Sequence, residues 1–213
     1  MPKGPLTDAE YEAIYRDFNA PPTRFDCGKR CAPHNEGIPF CCDDEWAVPV
    51  LYRTEWAFLK ARTDLWRRFR PRNRTERRMV EETHEDHVFA VCRGAHACDR
   101  RFRSITCRIF PFYPFLDPEG NLLGLVYNYT LEGKCVLVDR PRWVTRRYRR
   151  EALRFWRRLL ERLPEEKAFF IRESAQFRRI MSRRKKPIWV LTETGQFRAP
   201  YRMRSRKPGR DGA

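Results

Sequence analysis

An α+β fold is what this sequence predicts: a small, irregular, cysteine-rich module carrying a β-hairpin, packed against C-terminal α-helices. Three observations predict it. Seven of the eight cysteines crowd into residues 27–107, in stretches broken by Gly and Pro. Two apolar, aromatic runs, Cys107 to Leu116 and Leu122 to Tyr129, flank Asp117-Pro118-Glu119-Gly120-Asn121, which is strong turn chemistry. From Arg142 to Leu163, Val144, Tyr148, Ala152, Phe155, Leu159 and Leu163 recur at intervals of three and four, the spacing of a helix's buried face.

The elements follow in order. Thr7 with Glu10 makes a capping box, so Leu6 to Phe18 reads as a helix that Pro21 and Pro22 end. Phe25 to Pro49 holds four cysteines without periodicity, as expected where ligation rather than regular hydrogen bonding fixes the backbone. Thr54 caps a predicted helix running to about Phe69, with Trp56, Leu59, Trp66 and Phe69 on one face. Pro71 to Asp86 is polar and partly helical, and His87 to Cys92 reads as a strand. After the hairpin and the long helix, Pro164 interrupts the chain. Glu165 to Arg184 gives a second helix whose acidic start and basic end suit the helix dipole. Ile188 to Leu191 reads as a strand, and the Arg-, Lys- and Gly-rich end beyond Tyr201 as a disordered tail.

The composition, 41% hydrophobic and 34% charged over 213 residues, supplies a core beneath a heavily charged surface and excludes wholesale disorder. No run of about 18 apolar residues offers a membrane span, and Met1 to Glu10 lacks the apolar stretch of a signal peptide, so a cytoplasmic protein is expected. Residues 141–213 carry +16 of the net charge of +17. The organisation expected is an N-terminal helix and linker (1–23), a cysteine-cluster module (24–140), a basic helical region (141–200) and the basic tail (201–213).

A reducing compartment makes a dense cysteine pattern a metal site sooner than a disulfide framework. The candidate ligands are Cys27, Cys31, Cys41 and Cys42, then Cys92, Cys98 and Cys107, with Cys135 following alone. Adjacent cysteines such as Cys41 and Cys42 bridge to each other only in a strained ring, but serve one metal centre or two readily. Four thiolates satisfy one zinc ion or one [4Fe–4S] cluster, and eight satisfy two. The absence of paired Cys-x2-Cys knuckles fits an iron-sulfur site better than a zinc ribbon. Arg24, Arg30, Arg93 and Arg108, beside the cysteines, are the expected offset for the negative charge of such a centre.

At these residues the sequence resembles the YkgJ-type cysteine-cluster family of zinc- or iron-chelating proteins. The resemblance rests on Phe25-Asp26-Cys27 through the double Cys41-Cys42, an acidic start to a helix, Cys92 and Cys98, and Cys107-Arg108-Ile109-Phe110-Pro111-Phe112. It covers residues 25–117 and implies a metal-binding cysteine module. Some members of the wider group resemble flagellin lysine methylases, which join a cysteine cluster to methyl transfer. This sequence has no glycine-rich nucleotide-binding fingerprint after a strand, so that activity is not carried over.

Three functions stay open at this point: a structural or electron-transfer metal centre, a redox or methyl-transferring enzyme that uses the cluster, and a metal-stabilised nucleic-acid-binding protein. His34, His84, His87 and His96 are further possible ligands, His96 foremost because it sits between Cys92 and Cys98, but such a histidine is more often a solvated loop residue and the thiolates already suffice. Arg146, Arg149, Arg150, Arg157 and Arg158 suit an acidic protein partner or a nucleic acid, against the alternative of a solvated helix face. Trp143, Tyr148, Phe155 and Trp156 stand at core spacing.

Overall fold

The computed structural model describes residues 4–203. Helix α1 (Asp8–Asp17) starts where expected. Thr7 Oγ1 accepts from the Glu10 amide, and the Glu10 carboxylate accepts in return from the Thr7 amide at 2.8 Å. The short helix α2 (Gly28–Cys31) and two 3-10 turns, Ala32–His34 and Phe40–Cys42, make up the first cysteine loop. A three-stranded antiparallel sheet follows, with β1 (Val50–Tyr52) and β2 (Trp66–Arg68) flanking β3 (His87–Cys92). Helix α3 (Arg53–Lys60) joins β1 to β2, and α4 (Arg74–Glu81) joins β2 to β3.

Two expectations need correction here. The helix after β1 begins at Arg53 behind Tyr52, so Thr54 does not cap it; the Thr54 hydroxyl instead bonds the Tyr11 hydroxyl at 2.8 Å. That helix also ends at Lys60, because Trp66 to Arg68 pair with Cys92 to Ala90 as a strand and the Trp66 indole donates to the Phe102 carbonyl at 2.9 Å. These partners are remote in sequence, and they override a spacing that suited a helix.

Helix α5 (Ile105–Ile109) carries Cys107, so the first strand of the hairpin begins only at Phe112. Strands β4 (Phe112–Leu116) and β5 (Leu122–Tyr127) pair antiparallel around the expected turn, where the Asp117 amide donates to the Asn121 carbonyl and Gly120 takes a φ of 83°. After α6 (Val136–Asp139) come α7 (Arg146–Arg162), capped by Thr145, and α8 (Pro164–Arg183). Strand β6 (Ile188–Leu191) is present, and β7 (Gln196–Ala199), which the sequence did not suggest, completes a four-stranded sheet in the order β4-β5-β6-β7. The expected tail lies outside the described residues from 204 onward.

The four-stranded sheet is packed on both faces. Phe115, Val126, Ile188 and Val190 meet Phe177 and Met181 of α8, while Phe112, Leu116, Leu125 and Leu191 join Tyr148, Ala152, Phe155 and Leu159 of α7 in the larger core. That larger core also takes in Tyr11 and Phe18 from the N-terminal segment and Leu51, Leu59 and Trp66 from the first sheet. Helix α8 is fastened to β4 through Leu116, whose amide donates to Ser174 Oγ at 2.9 Å and whose carbonyl accepts from Arg178 at 2.9 Å. No helix among the described residues is long and apolar enough to cross a membrane.

Gly124 lets β5 and β6 approach. A Cβ there would lie 2.5 Å from both the Leu191 carbonyl oxygen and Val190 Cγ1. Gly124→Ala is therefore expected to cost roughly 3 kcal/mol as the strands are forced apart, read as a lower urea midpoint with an unchanged slope.

Candidate metal centre

Seven of the cysteines sit at the edge of an element or in a short turn, and Cys107 sits within α5. Cys27 precedes α2 and Cys31 ends it; Cys41 and Cys42 close a 3-10 turn; Cys92 ends β3; Cys98 follows the Ala95–Ala97 turn; Cys107 lies in α5; Cys135 precedes α6. The first loop is tied locally. Asp26 accepts from the Gly28 amide at 3.0 Å, and the Asn35 side-chain amide donates to the Ile38 carbonyl at 3.0 Å and to Asp43 at 2.9 Å.

This arrangement brings five of the cysteines, from distant parts of the chain, to one cavity. A cavity of about 60 Å³ is lined by Cys27, Cys31, Cys41, Cys107 and Cys135, which gives residue 135 a place beside residues from the first loop. The Sγ atoms of Cys41 and Cys42 lie 3.8 Å apart. Electrostatic coupling links Cys41 with Cys27 and Cys107, and Cys135 with Cys27 and Cys31. It also links Cys92 with Cys42 and Cys98, and Cys107 with Cys92 and Cys42. All eight cysteines are free thiols. Among the described residues, no three His, Cys, Asp or Glu side chains meet closely enough, as they stand, to hold a metal ion.

Without a cation the thiolate form is disfavoured at most of these positions. Burial pushes the Cys107 thiol up to about 12 and that of Cys135 up to about 11. Burial, then the charge of neighbouring cysteines, raises Cys27, and burial raises Cys92. Within the adjacent pair, the hydrogen bond between the two sulfurs raises Cys41 and lowers Cys42, to which Arg103 adds a favourable positive charge. A cation among the sulfurs would reverse the balance at the raised thiols, since a ligating thiol binds as thiolate.

Two donors already point at sulfur. Arg103 Nε donates to Cys98 Sγ at 3.0 Å, and the Gly94 amide donates to Cys92 Sγ at 3.4 Å. Arg103 and Arg100, both coupled to cysteine charge, are residues that sequence reasoning missed. Of the four arginines it singled out, none bonds a sulfur. Arg24 is exposed, Arg30 lies over the Phe25 and Trp143 rings, Arg93 pairs with Asp64, and Arg108 is turned into the backbone. A residue one step along a helix points about 100° away from its neighbour, so standing next to Cys107 directs Arg108 away from it. Of the histidines, His34, His84 and His96 are exposed, and His87 lies 3.6 Å from Glu166 of α8.

The helix bearing Cys107 is held by buried polar groups. Glu55, 1% exposed, accepts from the Tyr15 hydroxyl at 2.7 Å and from the Ile105 amide at 2.7 Å, and Ser104 Oγ accepts from the Cys107 amide at 3.2 Å. The Tyr148 hydroxyl of α7 donates to the Arg108 and Ile109 carbonyls at 3.1 and 3.0 Å. Burial outweighs these donors and the nearby Arg108 charge, pushing the Glu55 carboxyl up to about 7 from 4.5. The folded state then binds the extra proton between those values, so the Glu55 contribution to stability is fully present below pH 4.5 and is lost as pH rises through 7. Wild type is expected to lose about 3 kcal/mol relative to Glu55→Gln between pH 4.5 and 7.5, measured as the difference between their urea unfolding free energies at each pH.

Comparison of the chain with protein-family models, with curated proteins and with solved structures finds no match in any of the three.

Proposed function

We propose that this protein binds metal through its cysteines, as one or two thiolate-ligated centres, [4Fe–4S] clusters or zinc, with a structural or electron-transfer role. The observation that carries the reading is the cavity shared by Cys27, Cys31, Cys41, Cys107 and Cys135, residues from three separate segments of the chain. An ordinary core closes over small buried thiols and leaves no common space between them. The resemblance of residues 25–117 to the YkgJ-type family supports the same conclusion.

Eight thiols supply two sets of four. We assign Cys27, Cys31, Cys41 and Cys135, which line the cavity together, to one, and Cys42, Cys92, Cys98 and Cys107 to the other, with Cys107 lining the same cavity and so standing where the two sets meet. Each set supplies the four soft donors that a zinc ion or a cubane cluster takes. When bound, the group would supply either a cross-link between loops or a one-electron store. Arg103 beside Cys98 and the Gly94 amide beside Cys92 would offset negative charge on the second set.

Anaerobic purification followed by iron, zinc and acid-labile sulfide analysis tests the proposal. A brown protein with iron and sulfide in equal amounts is the result for clusters, and a colourless one with zinc the result for structural ions. A folded, monodisperse preparation containing neither metal would overturn it.

A further inference from the structure

We propose that the outer face of α7 is a docking surface for the phosphate backbone of a nucleic acid. The helix carries eight arginines against two glutamates, and the structure sorts those arginines by what they already hold. Arg149 donates to the Gly195 carbonyl at 2.8 Å, Arg157 pairs with Glu193 at 2.8 Å, Arg158 with Asp17 at 3.0 Å, Arg162 with Glu10 at 2.9 Å and Arg147 with Glu151 at 2.8 Å. These five fasten the helix to the β6–β7 turn and to the N-terminal segment, or to its own next turn.

Arg146, Arg150 and Arg154 remain. All three are exposed and, among the described residues, make no hydrogen bond or ion pair. They stand four residues apart, so they form one line on the helix surface about 12 Å long. One strand of a duplex carries a phosphate about every 3.4 Å along its axis, so that length faces three to four phosphates. The planar guanidinium fork suits a phosphate's paired oxygens better than a point charge does.

The same face argues against a protein partner. The exposed positions of α7 are Arg146, Arg147, Arg150, Arg154, Arg157, Arg158 and Glu161, all charged, while its aromatics Tyr148, Phe155 and Trp156 are buried. A protein interface needs an apolar centre within its polar rim, and this face has none. With no exposed aromatic on α7 itself to stack on bases, the contact made by this helix is to the backbone and independent of base sequence.

The experiment is fluorescence anisotropy of the full, metal-loaded chain with labelled duplex DNA of about 20 base pairs, and with single-stranded RNA carrying the same number of phosphates, across about 50 to 200 mM salt. Arg146→Gln/Arg150→Gln/Arg154→Gln, which breaks no contact within the described residues, is compared with Arg67→Gln/Arg74→Gln/Arg77→Gln, an equal loss of charge from exposed positions of β2 and α4. The α7 triple is expected to flatten the slope of log affinity against log salt by about 2.7 on duplex and about 2.1 on single strands, and the other triple by less than about 1. Absence of binding by wild type to both probes would overturn the proposal, as would equal losses in the two triples. Displacement of the probe by polyglutamate at matched charge would assign the face to an acidic protein instead.

Discussion

Treatment with a strong chelator under reducing conditions is expected to open residues 25–46 and 92–99 while the far-UV signal of α7 and α8 largely persists. The two loops contain only short helices and 3-10 turns, and several of their stabilising contacts are local, such as Asn35 with Asp43 and the Gly94 amide with Cys92. Structural zinc contributes on the order of 10 kcal/mol at neutral pH where folding and binding are linked, which is comparable with the whole stability of a domain. The smaller core formed by β4–β7 and α8 contains no cysteine and would survive that loss. Limited trypsin digestion should cut first after Lys29, Arg30 and Arg93 in the stripped protein, and re-addition of metal should restore protection. Equal resistance of stripped and loaded protein would mean that the loops hold themselves.

Arg108→Met should lower the melting temperature by on the order of 10 °C or more, through a loss of about 3–5 kcal/mol. The Arg108 guanidinium is buried and donates to the carbonyls of Arg103 at 2.9 Å, Tyr15 at 3.2 Å, Arg100 at 3.1 Å and Arg101 at 2.8 Å, and also to that of Phe18. It also lies 4.4 Å over the Tyr15 ring. Methionine fills much of the volume but leaves five carbonyls without this donor, and buried carbonyls that lose a partner cost more than the bond itself was worth. Because those carbonyls come from the end of α1 and from residues 100–103, while Arg108 itself sits in α5, the loss should also loosen Cys107. Arg108→Lys should recover little, since one ammonium cannot span donors set in a fork. Thermal unfolding followed by circular dichroism checks both variants.

What the sequence made legible was set by short-range physics. The Thr7–Glu10 box, the turn from Asp117 to Asn121 and the repeating apolar face of α7 each depend on residues within about one or two turns of one another, and each stands in the structure. The misread elements depended on remote partners. Trp66 satisfies a helical spacing with Leu59, but its indole finds Phe102 and its backbone finds β3. Strand β7 has three of its four residues exposed and exists because β6 offers it an edge. The arginines show the same division at the site. Nearness in sequence pointed to Arg108, whereas Arg103 reaches Cys98 across a turn whose shape no spacing announces. The place of Cys135 was equally hidden, because it lines one cavity with Cys27 and Cys31 although more than 100 residues separate them in the chain.

The most direct test of the two-set arrangement is metal content per chain in paired variants purified without oxygen. Cys31→Ser/Cys135→Ser and Cys92→Ser/Cys98→Ser should each retain about half of the wild-type metal, and the four substitutions together should retain almost none. Full wild-type metal in the fourfold variant, or no metal in wild type to begin with, would contradict the account.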